Sequence, residues 1–417
     1  MKKVAFLYPG QGSQYIGMGK DLYKNFQKAQ EIFDLANEVL GFNLKNLCFE
    51  GNIEELTKTE NAQPALLTMS VAAFNVFSTE FDIKPTYMAG HSLGEISALT
   101  CAGVIKFEDA LRIVRKRGIF MKEAVPDGIG SMAAVSGINR ETIEEECKKF
   151  SNDSHIVVVS NYNSPDQTVI SGHSTAVKEV SERLIISGAV VIPIKVKTPF
   201  HSPLMQPAAD RFREELKQYK YNSFNYPVIS NVNALPYTSP EMLIESLAMQ
   251  VVMPIKWYEI MRYLEDQKVE IAIELGPHNV LKNLMKKTTA LINAFSYDKT
   301  EDVSALAVLF PKDEKETNLR LISRCMAIAV CTKNNNWNNE EYINGVTNPY
   351  KKIQAMHEEL EKTDCKASVE QMKEALLMLK SVFSTKQTKL QEQVERYNQI
   401  WRETGLKSLF EDMNLPI

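Results

Sequence analysis

Ser92 stands between two glycines in Gly90-His91-Ser92-Leu93-Gly94. The apolar run Tyr87-Met88-Ala89 before it predicts a buried strand, and Glu95-Ile96-Ser97-Ala98-Leu99 after it predicts the first turns of a helix. Strand, G-x-S-x-G, helix is the nucleophile elbow. A turn that tight needs residues without bulk on either side of the serine. It lifts the hydroxyl out of the sheet and sets it near a helix N-terminus, where partial positive charge favours a developing anion. The same letters describe a glycine-rich turn with an incidental serine, and the flanking strand and helix favour the nucleophile.

A serine hydroxyl needs a base. Thr198-Pro199-Phe200-His201-Ser202-Pro203 holds a histidine in a rigid, non-helical segment. His91, His155, His173, His278 and His357 compete with it. His91 is a poor base for Ser92, because sequence neighbours on an elbow point apart. A lone loop histidine is more often structural, so His201 is a candidate only. Arg117 is a second unusual residue. The stretch Phe107 to Met121 predicts a helix whose apolar stripe runs through Phe107, Ala110 and Val114, and Arg117 and Met121 continue it. A guanidinium there is a structural ion pair, a snorkelling side chain or a clamp for an anionic substrate group; spacing alone does not separate these.

The elements around these residues predict an α/β protein. Val4 to Tyr8 reads as a first buried strand, too short for a signal-peptide core, and runs into the polar loop Pro9-Gly10-Gln11-Gly12-Ser13-Gln14. A helix follows through about Leu40, and Gln63-Pro64-Ala65-Leu66-Leu67 reads as the opening of another, with Pro64 in its first turn. Between residues 131 and 196 the order is βαββαβ: strands at Met132–Val135, His155–Ser160, Gln167–Ser171 and Val190–Val196, with helices at Arg140–Phe150 and Ser174–Ile186. That is the split ferredoxin-like motif, with Asn161 and Asn163 in polar turns facing the main domain. Strands and helices alternate again through about residue 295, with strands at Pro227–Ser230 and Ile271–Leu275. Lys312-Asp313-Glu314-Lys315-Glu316 reads as a linker. Beyond it, helices are expected at Leu319–Val330 and Ile353–Leu360, with Pro349 separating two pieces. One apolar face runs from Met372 to Trp401, broken at Lys386. Acidic and basic residues balance in this tail. It reads as a cap on the catalytic core, or as a partner-docking helix pair.

The chain has 417 residues, 44% hydrophobic and 24% charged, with formal net charge −4. That suits a soluble globular protein of two or three domains and argues against binding nucleic acid by bulk charge. No apolar run is long enough for a membrane span. The cysteines Cys48, Cys101, Cys147, Cys325, Cys331 and Cys365 show no metal spacing, so reduced cytosolic thiols and no metal site are expected.

Residues 1 to about 300 resemble the malonyl-CoA:acyl-carrier-protein transacylases of fatty-acid and polyketide synthesis. The resemblance rests on ordered motifs: Pro9 to Gln14, Gln63-Pro64-Ala65-Leu66, Gly90 to Glu95, Arg117-Gly118, Asn161 to Pro165, Phe200-His201-Ser202, Gln250 and Glu274-Leu275-Gly276-Pro277-His278. It implies an α/β-hydrolase-like large subdomain at 1–127 and 198–300, a ferredoxin-like small subdomain at 128–197, a linker at 301–313 and a helical appendage at 314–417. It implies Ser92 as nucleophile and His201 as base, the latter oriented by a main-chain carbonyl near Gln250. The Gln11 and Leu93 N–H groups would form the oxyanion hole, and Arg117 the malonyl carboxylate fork, with Gln63, His91, Asn161, Asn163, Phe200 and Gln250 in support. The implied reaction is ping-pong transfer of malonyl from coenzyme A to the phosphopantetheine thiol of an acyl carrier protein. It needs no cofactor and would be carried out by a cytoplasmic monomer. Phe200, Gly276-Pro277-His278 and the appendage resemble the free-standing acyltransferases that load polyketide synthase carrier domains in trans. An acyl hydrolase and a docking or scaffold protein acting through its tail are the competing readings. A hydrolase of acyl chains has no use for a carboxylate clamp at Arg117.

Overall fold

Val4–Tyr8 forms β1, and every residue in it is buried. A computed structural model describes residues 2–311 and 314–416 of the chain, the side chain of Arg402 excepted. β1 lies at the centre of a five-stranded sheet with β2 (Tyr87–Gly90), β7 (Val228–Ile229), β8 (Ile271–Glu274) and β9 (Asn293–Ser296), in the order β7-β2-β1-β8-β9. All pairings are parallel. Strands buried on both faces read as continuous apolar runs, as Val4 to Tyr8 does. The register aligns Tyr8 with Gly90 and Leu7 with Glu274. The loops after β1, β2 and β8 therefore leave the sheet at one edge, the carboxyl edge where open α/β sheets bind ligands.

The helix before β2 departs from expectation. It spans Thr59–Glu80, so Pro64 lies inside it and not in its first turn. A proline there leaves a carbonyl one turn earlier without its helical partner. Arg115 Nη1 donates to that carbonyl, the Glu60 oxygen, at 2.5 Å. The helix Phe107–Glu123 crosses at the same place, where a Cβ on Gly118 would stand 2.8 Å from Glu60 Cα. The two helices touch backbone to backbone, and Arg117 is carried into the interior beside that contact.

The insert is β3 (Gly130–Ser136), a helix Arg140–Phe150, β4 (Val157–Ser164), β5 (Gln167–His173), a helix Ser174–Ile186 and β6 (Val190–Pro193). Its antiparallel order, β4-β5-β3-β6, is ferredoxin-like. Ala133, Val135, Val157, Ile170, Val177 and Leu184 build its core. Asn161 and Asn163 are strand residues, not turn residues. β4 runs on past Ser160 because a second backbone supports it: Ile255 N–H donates to Ser160 O and Tyr162 N–H to Ile255 O, both at 2.9 Å. The last strand stops at Pro193, short of the expected Val196.

The chain divides into two compact units, residues 1–306 and 307–417. Most of the stretch expected as a linker is the helix Thr300–Leu309. Its start is anchored by Asp302, whose carboxylate accepts from Lys282 Nζ at 2.5 Å and from Ser296 N–H at 2.7 Å. Lys312 and Asp313 lie outside the described residues, and Glu314 to Glu316 open the next helix. The second unit has helices Glu314–Cys331, Asn348–Thr363, Val369–Thr385 and Leu390–Thr404. Pro349 separates nothing: it sits in the first turn of its helix, where a missing N–H costs little. The break at Lys386 falls between the last two of these helices. Of the apolar face from Met372 to Trp401, Met372, Leu376, Leu379, Phe383, Tyr397 and Trp401 pack into a cluster with Leu321, Cys325, Ile328, Ile353 and Leu360, whereas Leu390 is exposed. That face is spent on a core of the unit's own. Among the described residues no helix is long and apolar enough to cross a membrane.

Candidate active site

The elbow is held by steric necessity. A Cβ on Gly90 would stand 1.9 Å from Gly94 C, and one on Gly94 would stand 2.0 Å from Tyr8 O. Neither distance is compatible with any side chain. Ser92 has φ 52°, the strained geometry of a nucleophile turn. Two long-range bonds fix it: Ser92 N–H donates to Asn231 Oδ1 at 2.7 Å, and Ser92 O accepts from Gln250 Nε2 at 2.9 Å. Asn231 also donates to Gly90 O at 2.7 Å, bridging both ends of the turn.

His201 Nε2 lies 2.9 Å from Ser92 Oγ, and its Nδ1 lies 2.7 Å from the main-chain oxygen of Gln250. A carbonyl only accepts, so Nδ1 carries the proton and Nε2 faces the serine as an acceptor. His201 has φ 57° and is buried. Burial, with the Arg117 charge beside it, holds its pKa down at about 3. The imidazole is therefore neutral at physiological pH. His91 turns the other way, with Nε2 at 3.0 Å from Asn163 Oδ1 and its ring 5.6 Å from that of Trp257.

Arg117 is 1% exposed. Nη1 donates to Gln63 Oε1 at 3.0 Å, and Nη2 donates to Gln250 Oε1 at 2.8 Å and to Ser92 Oγ at 3.2 Å. Its Nε has no partner among the described residues. Burial lowers its pKa to about 10, which leaves it charged at neutral pH. Among the described residues no carboxylate touches the guanidinium: neutral amide oxygens hold it beside the nucleophile.

Glu95, on the first turn of the helix Leu93–Cys101, is fully buried below this group. It accepts from Asn231 N–H at 3.0 Å, from Gln250 Nε2 at 2.7 Å and from the Tyr237 hydroxyl. Burial raises its pKa to about 7. Asn231, Tyr237 and the part played by Glu95 are absent from the sequence reading. Glu95 closes the quoted elbow motif, which was the one available signal. Asn231 and Tyr237 follow a short strand with no local pattern around them.

A cavity of about 680 Å³ opens over Ser92. Gln11, Gln63, His91, Leu93, Arg117, Asn161, Asn163, Phe200 and His201 all line it. Gln250 meets the site through its hydrogen bonds instead. The Gln11 loop is pressed onto the elbow, since a Cβ on Gly10 would stand 2.5 Å from His91 O. It is latched from outside by Tyr15, whose hydroxyl donates to Asp298 at 3.0 Å, while the His278 N–H donates to the same carboxylate at 2.8 Å. Leu93 is the first residue of its helix, so its N–H has no acceptor within the helix.

A serine on a strand-to-helix elbow, a neutral histidine on its hydroxyl and a buried guanidinium alongside define a serine-dependent acyl-transfer protein on an α/β sheet. The model of the acyl transferase domain family matches residues 5–332. The chain belongs to that family, in its malonyl-CoA:acyl-carrier-protein transacylase branch. A malonyl CoA-acyl carrier protein transacylase of Bacillus subtilis is 38% identical over 396 residues, covering 94% of this chain and 99% of the relative. An alignment of that length has to run through most of the helical unit. Among solved structures, the malonyl CoA-acyl carrier protein transacylase of Coxiella burnetii is 39% identical with TM-score 0.72, covering 74% of this chain and 98% of its own. A malonyl-transacylase in complex with its type II PKS acyl-carrier protein is also 39% identical, with TM-score 0.71, covering 73% of this chain and 99% of its own.

Proposed function

We propose that the chain transfers a malonyl group from malonyl-CoA, through an ester on Ser92, to the phosphopantetheine thiol of an acyl carrier protein. The observation that carries this is Arg117, a buried cation held by amide oxygens within 3.2 Å of the serine hydroxyl. Removing an ion from water carries a penalty of several kcal/mol that neutral amides offset only in part. A substrate carboxylate supplies the missing partner through two charge-assisted hydrogen bonds.

The steps follow from the contacts. His201 Nε2 takes the Ser92 proton as Oγ attacks the thioester carbonyl. The Leu93 and Gln11 N–H groups receive the oxyanion. The imidazolium, steadied by the Gln250 carbonyl, protonates the departing coenzyme A thiolate. The carrier thiol then gives its proton to His201 and attacks the Ser92 ester, and as the adduct collapses the C–O bond breaks and the imidazolium returns that proton to Ser92 Oγ. Asn161, Asn163 and His91 line the acyl and pantetheine path, and Phe200 narrows the space beside the malonyl α-carbon. Each of these roles is part of the proposal. The reaction as written uses no cofactor and fits a cytoplasmic protein supplied with acyl-CoA.

Phe200, Gly276-Pro277-His278 and the helical unit support a trans-acting role on polyketide synthase carriers. The helical unit is then a separate folded element for engaging the synthase. Intact-protein mass after incubation with malonyl-, acetyl- and methylmalonyl-CoA tests the reading. A single malonyl adduct on Ser92, with little acetyl or methylmalonyl, is expected. Rapid release of all acyl groups to water would support a hydrolase instead.

A further inference from the structure

Arg117 has a carboxylate at one remove. Its Nη2 donates to Gln250 Oε1 at 2.8 Å, and the other end of that amide, Nε2, donates to Glu95 Oε2 at 2.7 Å. We propose that Glu95 is the relayed counter-charge of Arg117 in the resting protein, and that it takes up a proton from solvent when a malonyl carboxylate occupies the guanidinium. The inference deepens the malonyl reading and rests on it.

Charge count decides the protonation state of Glu95. One buried guanidinium balances one carboxylate. With malonate on Ser92, a second carboxylate arrives and the first becomes a surplus buried anion, which burial disfavours. The cheaper outcome is protonation of Glu95, for no covalent bond changes and one proton moves from water to the Glu95 carboxyl. Three elements besides its own face Glu95. The helix Phe107–Glu123 brings Arg117, the helix Leu243–Val252 brings the neutral Gln250 amide, and the segment after β7 brings Asn231 and the Tyr237 hydroxyl. His201 lies beyond Gln250, on its main-chain oxygen. Tyr237 has its own pKa pushed up by burial and the nearby Glu95 charge, so it stays a neutral donor. Glu95 is poised to respond, since burial already lifts it to about 7, with Arg117 pulling the other way.

The role is one of positioning and specificity, since the Glu95 carboxylate bonds to Asn231, Tyr237 and Gln250 and not to the Ser92 hydroxyl. It makes the preference for malonyl over acetyl pH-dependent. Above the range where Glu95 ionises, malonyl loading has to draw a proton, so the preference falls with rising pH. Acetyl loading leaves the charge count unchanged.

The test uses the full-length protein in weak buffer with a pH-indicator dye, mixed with malonyl-CoA without carrier, and scored per acyl-enzyme formed by intact mass. Near pH 7 the expected uptake is about half a proton per malonyl-enzyme, the linkage for a group half ionised beforehand and neutral afterwards. Acetyl-CoA serves as the control and should give none. Glu95→Gln, which keeps the hydrogen-bonding shape, should abolish uptake and flatten the pH dependence of the malonyl-to-acetyl ratio. Tyr237→Phe removes a donor that favours the ionised form, so it should move the pH of maximum uptake upward. That variant decides the matter should Glu95→Gln fail to fold. Normal malonyl-enzyme without uptake, uptake persisting in Glu95→Gln, or an unmoved maximum in Tyr237→Phe would overturn the proposal. Absence of any malonyl-enzyme would instead overturn the functional reading.

Discussion

The two units treat buried charge differently. In residues 1–306 the site buries Arg117, Glu95 and His201 together, with Ser92 and His201 both at positive φ. In the helical unit the buried charge among the described residues is Lys386, and main-chain carbonyls answer it. Its Nζ donates to Ala329 O and Thr332 O at 2.9 and 2.8 Å, at the C-terminal end of the helix Glu314–Cys331. A cation at a helix C-terminus is favourable twice over, by hydrogen bonding and by the helix dipole. Among the described residues of this unit the Thr388 and Tyr397 hydroxyls and the Trp401 indole N–H lack partners but are neutral, and Arg324, whose Nε also lacks one, pairs through Nη2 with Glu403 at 2.9 Å. One unit thus keeps a cation whose carboxylate lies one amide away, with a strained nucleophile beside it. The other settles its charge locally. The first is built to receive a ligand, the second to fold.

The largest effect expected from breaking this contrast lies at Ser92. Ser92→Ala should abolish the malonyl mass adduct, and an adduct that persists refutes the elbow assignment. His201→Ala should slow loading by roughly a hundredfold or more, the scale of a lost general base, with circular dichroism unchanged. A greater loss in His91→Ala would show that the wrong base has been named. The His201 pKa lies below its unfolded value, so the base stays neutral on mild acidification. Acetyl loading should therefore show no acid limb near pH 6.5. In stability the sign runs the other way: the unfolded chain binds the proton between about 3 and 6.5, so this contribution is lost as pH falls through that window.

In the helical unit the effects are on stability alone. Lys386→Met keeps the apolar stem and deletes the ammonium, leaving two buried carbonyls without a donor. A loss of about 1–3 kcal/mol in that unit's unfolding, with malonyl loading untouched, is expected from chemical denaturation. The smallest effect should come from ending the chain at Pro311. Because the helical unit has its own core, the shortened chain should load malonyl normally with its melting temperature little changed. Aggregation of that chain would mean its surface depends on the missing helices.

Much of this site is local enough in sequence to read. Gly90 and Gly94 flank Ser92 because no side chain fits either place, and Arg117 stands out because a charge interrupts an apolar stripe. What the sequence hides is long-range. Asn231 reaches Gly90 and Ser92 across more than a hundred residues, and its neighbours carry no period that marks it. The Gln250 side chain, which joins Arg117 to Glu95, sits on an ordinary-looking helix. Pro64 misled for a related reason: the carbonyl it leaves free is taken by Arg115 from another helix. Asn161 and Asn163 look like turn residues, yet Ile255 extends their strand. In the tail the period of the apolar face was legible, but a periodic face does not say what covers it.

The central claim is that the buried guanidinium beside Ser92 chooses the acyl group. The most direct measurement is the ratio of kcat/KM for malonyl-CoA over acetyl-CoA in transfer to a carrier protein, for the native chain and for Arg117→Ala and Arg117→Lys. The native ratio should be large, because a site built around a polar group rejects the analogue that lacks its partner. Alanine should collapse it, through lost malonyl transfer. Lysine should restore only part, since an ammonium cannot form the planar fork. A native protein that prefers acetyl-CoA, or a ratio that Arg117→Ala leaves unchanged, would contradict the account.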